Sequence, residues 1–372
     1  MDEISNKLWQ LATVARSPLP NVATSSIIDW RLAWKSNETV PQSIPRPEML
    51  PFIGEEVDVG YDNARVVILP IPYEATTTYR VGCQHGPAAL LAASDQLEYY
   101  DVELGRETCF EVGIHTHAPI ADTRQGAVSE VEMLAAVREA IARCVNDGKF
   151  VVSIGGEHSI TAGVVAGYRQ ALGDDPFTVV QIDAHGDLRT EYEGSRYNHA
   201  CVMHRVLELG CPSLPVGIRS ICREEAELIR ARNIPVFWDD DIAGDPNWID
   251  RAIDCIGTEK VFLTVDLDGL DPSLVPGVGT PQPGGLGWHT TLEFLRRLCR
   301  DRTLIGADIM ELCPVADSVV SEFTAAKLTY KIVGYREIAR SRQGASIEKT
   351  PLTSTPNPPN QSSGEPFERK TG

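Results

Sequence analysis

Asp183-Ala184-His185-Gly186-Asp187 sets three ligand-type side chains at alternate positions, and alternate residues of an extended segment point to one side. Asp266 and Asp268 repeat the spacing further along the chain. In Gly155-Gly156-Glu157-His158-Ser159 the glycines allow a tight turn that would aim His158 outward. Taken singly, each has a commonplace reading: a histidine after a strand is usually a hydrogen-bonded core or loop residue, and an aspartate a turn or helix cap. Taken together they are harder to explain away. Four converging carboxylates would repel one another and lose hydration at severe cost unless cations stood among them. Two divalent ions bring +4 against the −4 of the four aspartates, as in two-metal sites whose ions lie roughly 3.5–4 Å apart. The expected ligands are His158, Asp183, His185, Asp187, Asp266 and Asp268. Ions so held lower the pKa of water from about 15.7 to near 7 and supply a nucleophile at neutral pH.

Such ligands need rigid elements to hold them. Short β-branched or apolar runs at 65–71, 150–154, 178–182, 261–266 and 304–309 read as strands. Helical spacing marks 129–146, 160–171, 223–231, 290–299 and 319–333. Ser129 and Glu132 open the first helix with the spacing of a capping box. Strands alternating with helices predict an α/β fold, a three-layer αβα sandwich around a central, mostly parallel sheet. Ligands collect at the carboxyl ends of such strands. The histidine and aspartate segments all follow predicted strands, so three neighbouring strand ends are expected to supply the site.

Composition narrows the functional classes. The 34 basic and 52 acidic residues of this 372-residue chain give a net charge of −18, which suits a small cationic substrate and argues against nucleic acid or an anionic membrane as partner. No window approaches the roughly 18 apolar residues of a spanning helix, and the first thirty residues lack a basic then apolar leader. Nine scattered cysteines, none spaced as Cys-x-x-Cys, argue against disulfides and a zinc–cysteine cluster. A cytoplasmic protein is expected. Residues 1–60, with Pro18, Pro20, Pro41, Pro45, Pro47 and Pro51, read as an extended arm. Residues 61–345 read as one catalytic domain, and 346–372, rich in Pro, Ser and Thr, as a disordered tail.

Three of these segments, GGEHS, DAHGD and VDLDGLDPSLVPGVGTPQPGG, resemble the signature motifs of the ureohydrolases, the family of arginases and agmatinases, over roughly residues 60–340. The resemblance implies that His158, Asp183, Asp187 and Asp266 hold one metal, and His185, Asp183, Asp266 and Asp268 the other. It also places His199 where relatives carry a proton-shuttling histidine, and Glu311 where they carry the carboxylate that grips a guanidinium group. Glu157 stands where many members have Asp. Homohexamers or trimers are implied by the same likeness.

The implied reaction releases urea by hydrolysis of a guanidinium carbon–nitrogen bond. Asp187 would orient the nucleophile, Glu311 would fix the planar cation, and His199 would protonate the departing amine. The Ala75-Thr76-Thr77-Thr78-Tyr79-Arg80 segment and Gly287-Trp288 look more like the nickel-dependent guanidine hydrolases than like typical agmatinases. On that likeness the expected substrate is guanidine itself, the ion Ni²⁺ with Mn²⁺ as alternative, and accessory proteins that deliver the metal would be partners. Thr77 and Thr78 would meet the cation, and Trp288 would wall the pocket. The rival is agmatine, for whose distal ammonium Glu191 or Glu193 would provide a place. A non-catalytic metal-binding relative is a third, distant reading.

Overall fold

The computed structural model describes residues 49–347. Eight strands form one sheet, β1 Val66–Ile71, β2 Ile114–Thr116, β3 Phe150–Gly155, β4 Phe177–Ile182, β5 Ser213–Ile218, β6 Phe237–Trp238, β7 Lys260–Asp266 and β8 Thr303–Met310. Their order is β2-β1-β3-β8-β7-β4-β5-β6. Every pairing is parallel, so the sheet is wholly rather than mostly parallel. One expectation changes: β3 and β4 are not adjacent, because β8 and β7 lie between them.

A parallel sheet buries both faces, and the strand sequences divide accordingly. Val66, Ile68, Val152, Ile154, Val180 and Ile182 join one apolar cluster with the helices Gly86–Ser94, Trp288–Asp301 and Val320–Ile347. Val67, Leu69, Val151 and Val179 point into a second cluster against the helices Glu130–Asn146 and Ile160–Leu172. This is the three-layer sandwich. Ser129 accepts from the backbone N–H of Glu132 while the Glu132 carboxylate accepts from Ser129, completing the capping box.

Compositional boundaries shift at both ends. Phe52, Ile53 and Val57, placed in the arm by proline content, are buried in the first cluster. The last helix runs to Ile347, two residues past the expected end of the domain. The remainder of the arm, residues 1–48, and of the tail, 348–372, lies outside the described residues.

Candidate active site

Four consecutive strands of the sheet, β3, β8, β7 and β4, end beneath one cleft. Past β3 the chain turns at Gly156, where any Cβ would lie 2.1 Å from the carbonyl oxygen of Tyr73. That close approach requires glycine and delivers His158 over the strand end. Past β7, the 3-10 turn Leu267–Gly269 sits on β4 so tightly that a Cβ at Gly269 would lie 2.6 Å from the Asp183 nitrogen. Register pairs Asp266 with Met310, so Glu311 emerges beside the β7 carboxylates. Glu311 and Asp187 both adopt positive φ, +66° and +52°, values uncommon outside glycine and concentrated at functional sites.

The six expected ligands converge. One donor atom each from His158, Asp183 and Asp266 lies within 4.8 Å of the others, as does one each from Asp183, His185 and Asp268. His158 Nδ1 is 3.1 Å from Asp187, 3.2 Å from Asp183 and 3.3 Å from Asp266. His185 Nδ1 is 3.0 Å from Asp268. Asp183 thus joins both groups, whereas Asp266 falls in the first and Asp187 adjoins it through His158. The donors are themselves held. His158 Nε2 pairs with the Thr264 hydroxyl at 2.9 Å, Gln181 donates to Asp183 at 2.8 Å, and the Ala184 N–H donates to Asp268 at 3.1 Å. Imidazole ligands are commonly oriented in this way through the other ring nitrogen.

Electrostatics report the same crowding. Burial and the charge of Asp187 push Asp183 up to about 7. Burial, then Asp268 and Asp183, hold Asp266 well above the usual carboxylate range. Burial alone would lower both histidines, but hydrogen bonds that the ring makes to Asp183, Asp187 and Asp266 raise His158, and Asp268 raises His185 to about 11. Protons stand in for cations in such a cluster. Burial and the charge of Glu157 raise Glu311 to about 8, against the opposing hydrogen bond from the His158 N–H at 2.7 Å.

A cleft of about 240 Å³ opens over this cluster, lined among others by Thr77, Thr78, Asp187, His199 and Glu311. Of the expected substrate residues, Trp288 is the exception. It begins the helix Trp288–Asp301 and packs against the apolar core, away from the cleft lining. Glu191 and Glu193 are exposed, and it is Tyr192 between them that reaches the cleft. Arg80 of the threonine segment lines it as well, and sequence reading missed Arg189, Glu225 and Thr280, which do the same. It missed too the supporting Thr264 and Gln181, which carry no mark beyond being polar inside apolar strands.

Residues 64–334 match the family model described as Arginase family. The chain is 59% identical, over 76% of its length and 93% of the relative's, to the N(1)-aminopropylagmatine ureohydrolase of Synechocystis sp.. It is 33% identical, over 74% of its length and 93% of the relative's, to the agmatinase of Pyrococcus horikoshii. Among solved structures, the agmatine ureohydrolase of Thermoplasma volcanium matches with a TM-score of 0.68 and 33% identity, over 77% of this chain and 94% of that one. The chain therefore belongs to the arginase family, binuclear-metal hydrolases acting on carbon–nitrogen bonds of linear amidines.

Proposed function

We propose that this chain hydrolyses guanidino compounds built on agmatine, with N(1)-aminopropylagmatine preferred, releasing urea and the corresponding polyamine. The observation that carries the reading is the 59% identity to the Synechocystis relative of that name, over 93% of its length. Guanidine, the substrate expected from the threonine segment, loses its main support. The relatives it resembles are named for agmatine and aminopropylagmatine, and although Thr77 and Thr78 line the cleft, with the Thr77 hydroxyl donating to Glu74, a lining of this kind serves any guanidinium group equally.

The donor set fits two divalent ions: His158, Asp183, Asp187 and Asp266 would hold one and His185, Asp183 and Asp268 the other, with Asp266 reaching the second as the family resemblance implies. When bound they would bring water from a pKa of about 15.7 to near 7. Four carboxylates with two imidazoles favour manganese over the nickel first expected. Asp187 orients the attacking water. Glu311 receives the guanidinium through Oε2, because Oε1 is occupied by the His158 N–H. A cation against Glu311 returns its raised pKa toward the carboxylate range, so binding and ionisation reinforce each other. His199 delivers a proton to the departing amine. Hydrolysis of agmatine leaves putrescine, and of its aminopropyl derivative, spermidine.

Urea release from aminopropylagmatine, agmatine and guanidine, after loading with Mn²⁺ or Ni²⁺, tests the reading. We expect kcat/KM to fall in that substrate order by about tenfold or more per step, with Mn²⁺ the better ion. Guanidine turnover above that of both longer compounds would overturn it.

A further inference from the structure

Glu157 is completely buried, and its carboxylate accepts four hydrogen bonds. Oε2 takes the backbone N–H groups of Ala75 and Thr76, each at 2.6 Å. Oε1 takes the hydroxyls of Ser159 at 2.5 Å and Thr76 at 2.8 Å. A carboxylate only accepts, so the single hydroxyl proton of Thr76 is committed to Glu157. The same Thr76 oxygen accepts the backbone N–H of His199 at 3.0 Å and lies 3.1 Å from the ring Nδ1. With its proton engaged, that oxygen can only accept from the ring as well. Nδ1 must then carry the hydrogen.

We propose that Thr76, held by Glu157, is a positioning residue that fixes His199 as the Nδ1–H tautomer and leaves Nε2 as the nitrogen that exchanges the catalytic proton. The inference rests on the reading of His199 as proton donor. In the step concerned, protonated His199 breaks its Nε2–H bond as the departing amine forms a new N–H bond using its own lone pair. The positive charge leaves the ring, and the neutral imidazole keeps its hydrogen at Nδ1, where Thr76 accepts it. No hydrogen has to move within the ring between turnovers. In the other tautomer, Nε2 would hold a hydrogen and could not take up the next one. Glutamate rather than aspartate follows from reach, because Oε2 must meet two N–H groups of the 75–76 loop while Oε1 meets two hydroxyls. The link runs from the residue beside His158 to the loop that presents His199, so one carboxylate ties the proton donor to the metal-bearing end of β3.

The tautomer can be read directly by long-range proton–nitrogen correlation spectra of the full chain, labelled with ¹⁵N-histidine and loaded with diamagnetic Zn²⁺, in alkaline buffer. A His199→Ala spectrum assigns the signal. We expect the Nδ1–H form in the unaltered chain and loss of that preference in Thr76→Val. Thr76→Val should lower kcat about 10- to 100-fold, with KM within about twofold, and Thr76→Ser should restore most of the loss. An Nε2–H signal in the unaltered chain, or full kcat in Thr76→Val, overturns the proposal. The spectrum of the unaltered chain decides the tautomer even if Thr76→Val fails to fold. Undiminished turnover by His199→Ala would instead sink the reading of His199 as proton donor. The two failures are separable because the spectrum does not depend on turnover.

Discussion

At the scale of single residues, the ligands were legible because their chemistry allows few substitutes. Asp183, His185 and Asp187, like Asp266 and Asp268, occupy alternate positions at the ends of apolar strands, and only cations make such a grouping affordable. Their supports were not legible. Thr264 orients His158, and Thr76 bridges Glu157 to His199, yet neither role leaves a pattern along the chain, since the partners lie 106, 81 and 123 positions away. Trp288 failed as a pocket wall for a related reason. A helix start fixes its direction, and the apolar stripe of Trp288–Asp301 turns it to the core. Glu311 gives the sharpest prediction here. It holds no expected metal position, so Glu311→Gln should keep its metals while kcat/KM for an agmatine-type substrate falls about 10- to 100-fold, the loss of a charge-assisted hydrogen bond. Steady-state kinetics with metal analysis would check this, and a change within about twofold would remove Glu311 from the substrate.

At the scale of elements, the long strands were legible to within a few residues because period and length agree in them, whereas the last helix, expected to end at 333, runs on to Ile347. β3, β4, β7 and β8 each alternate side chains between two apolar faces. β5 escaped notice because Pro215 and Gly217 interrupt a run of six residues. β2 and β6, of three and two residues, are too short to carry a period. The order of strands was illegible as well, since insertion of β8 and β7 between β3 and β4 depends on contacts between distant segments. That insertion puts the strand that leads to Glu311 between the one that leads to His158 and the one that ends in Asp266. The turn after β3 is correspondingly unforgiving. Gly156→Ala must push its Cβ away from the Tyr73 carbonyl, and the strain should destabilise the chain by about 1–3 kcal/mol. Equilibrium denaturation measures this directly, and unaltered stability would mean that the β1 and β3 ends separate at little cost.

At the scale of the whole molecule, the acidic balance of −18 accords with a small cationic guanidino substrate. Among the described residues, no helix is long and apolar enough to cross a membrane, and all nine cysteines are free. Metal and stability are linked through protons. Asp183 rises from 3.8 to about 7 and Glu311 from 4.5 to about 8 on folding, so between those values the metal-free folded state binds more protons than the unfolded one. Stability therefore falls as pH rises through that window. His185, raised from 6.5 to about 11, acts in the same direction, its contribution being complete below 6.5 and lost toward 11. Calorimetry of metal-stripped protein should show Tm falling from about pH 5 to about pH 9, with a shallower slope once divalent ions replace those protons. A Tm that rises with pH in the stripped protein would contradict the assignment. The most direct test of the binuclear centre is to titrate stripped protein with Mn²⁺ while following bound metal per chain and urea release from an agmatine-type substrate. Activity should saturate at two ions per chain. Full activity with less than one ion bound per chain would contradict the account.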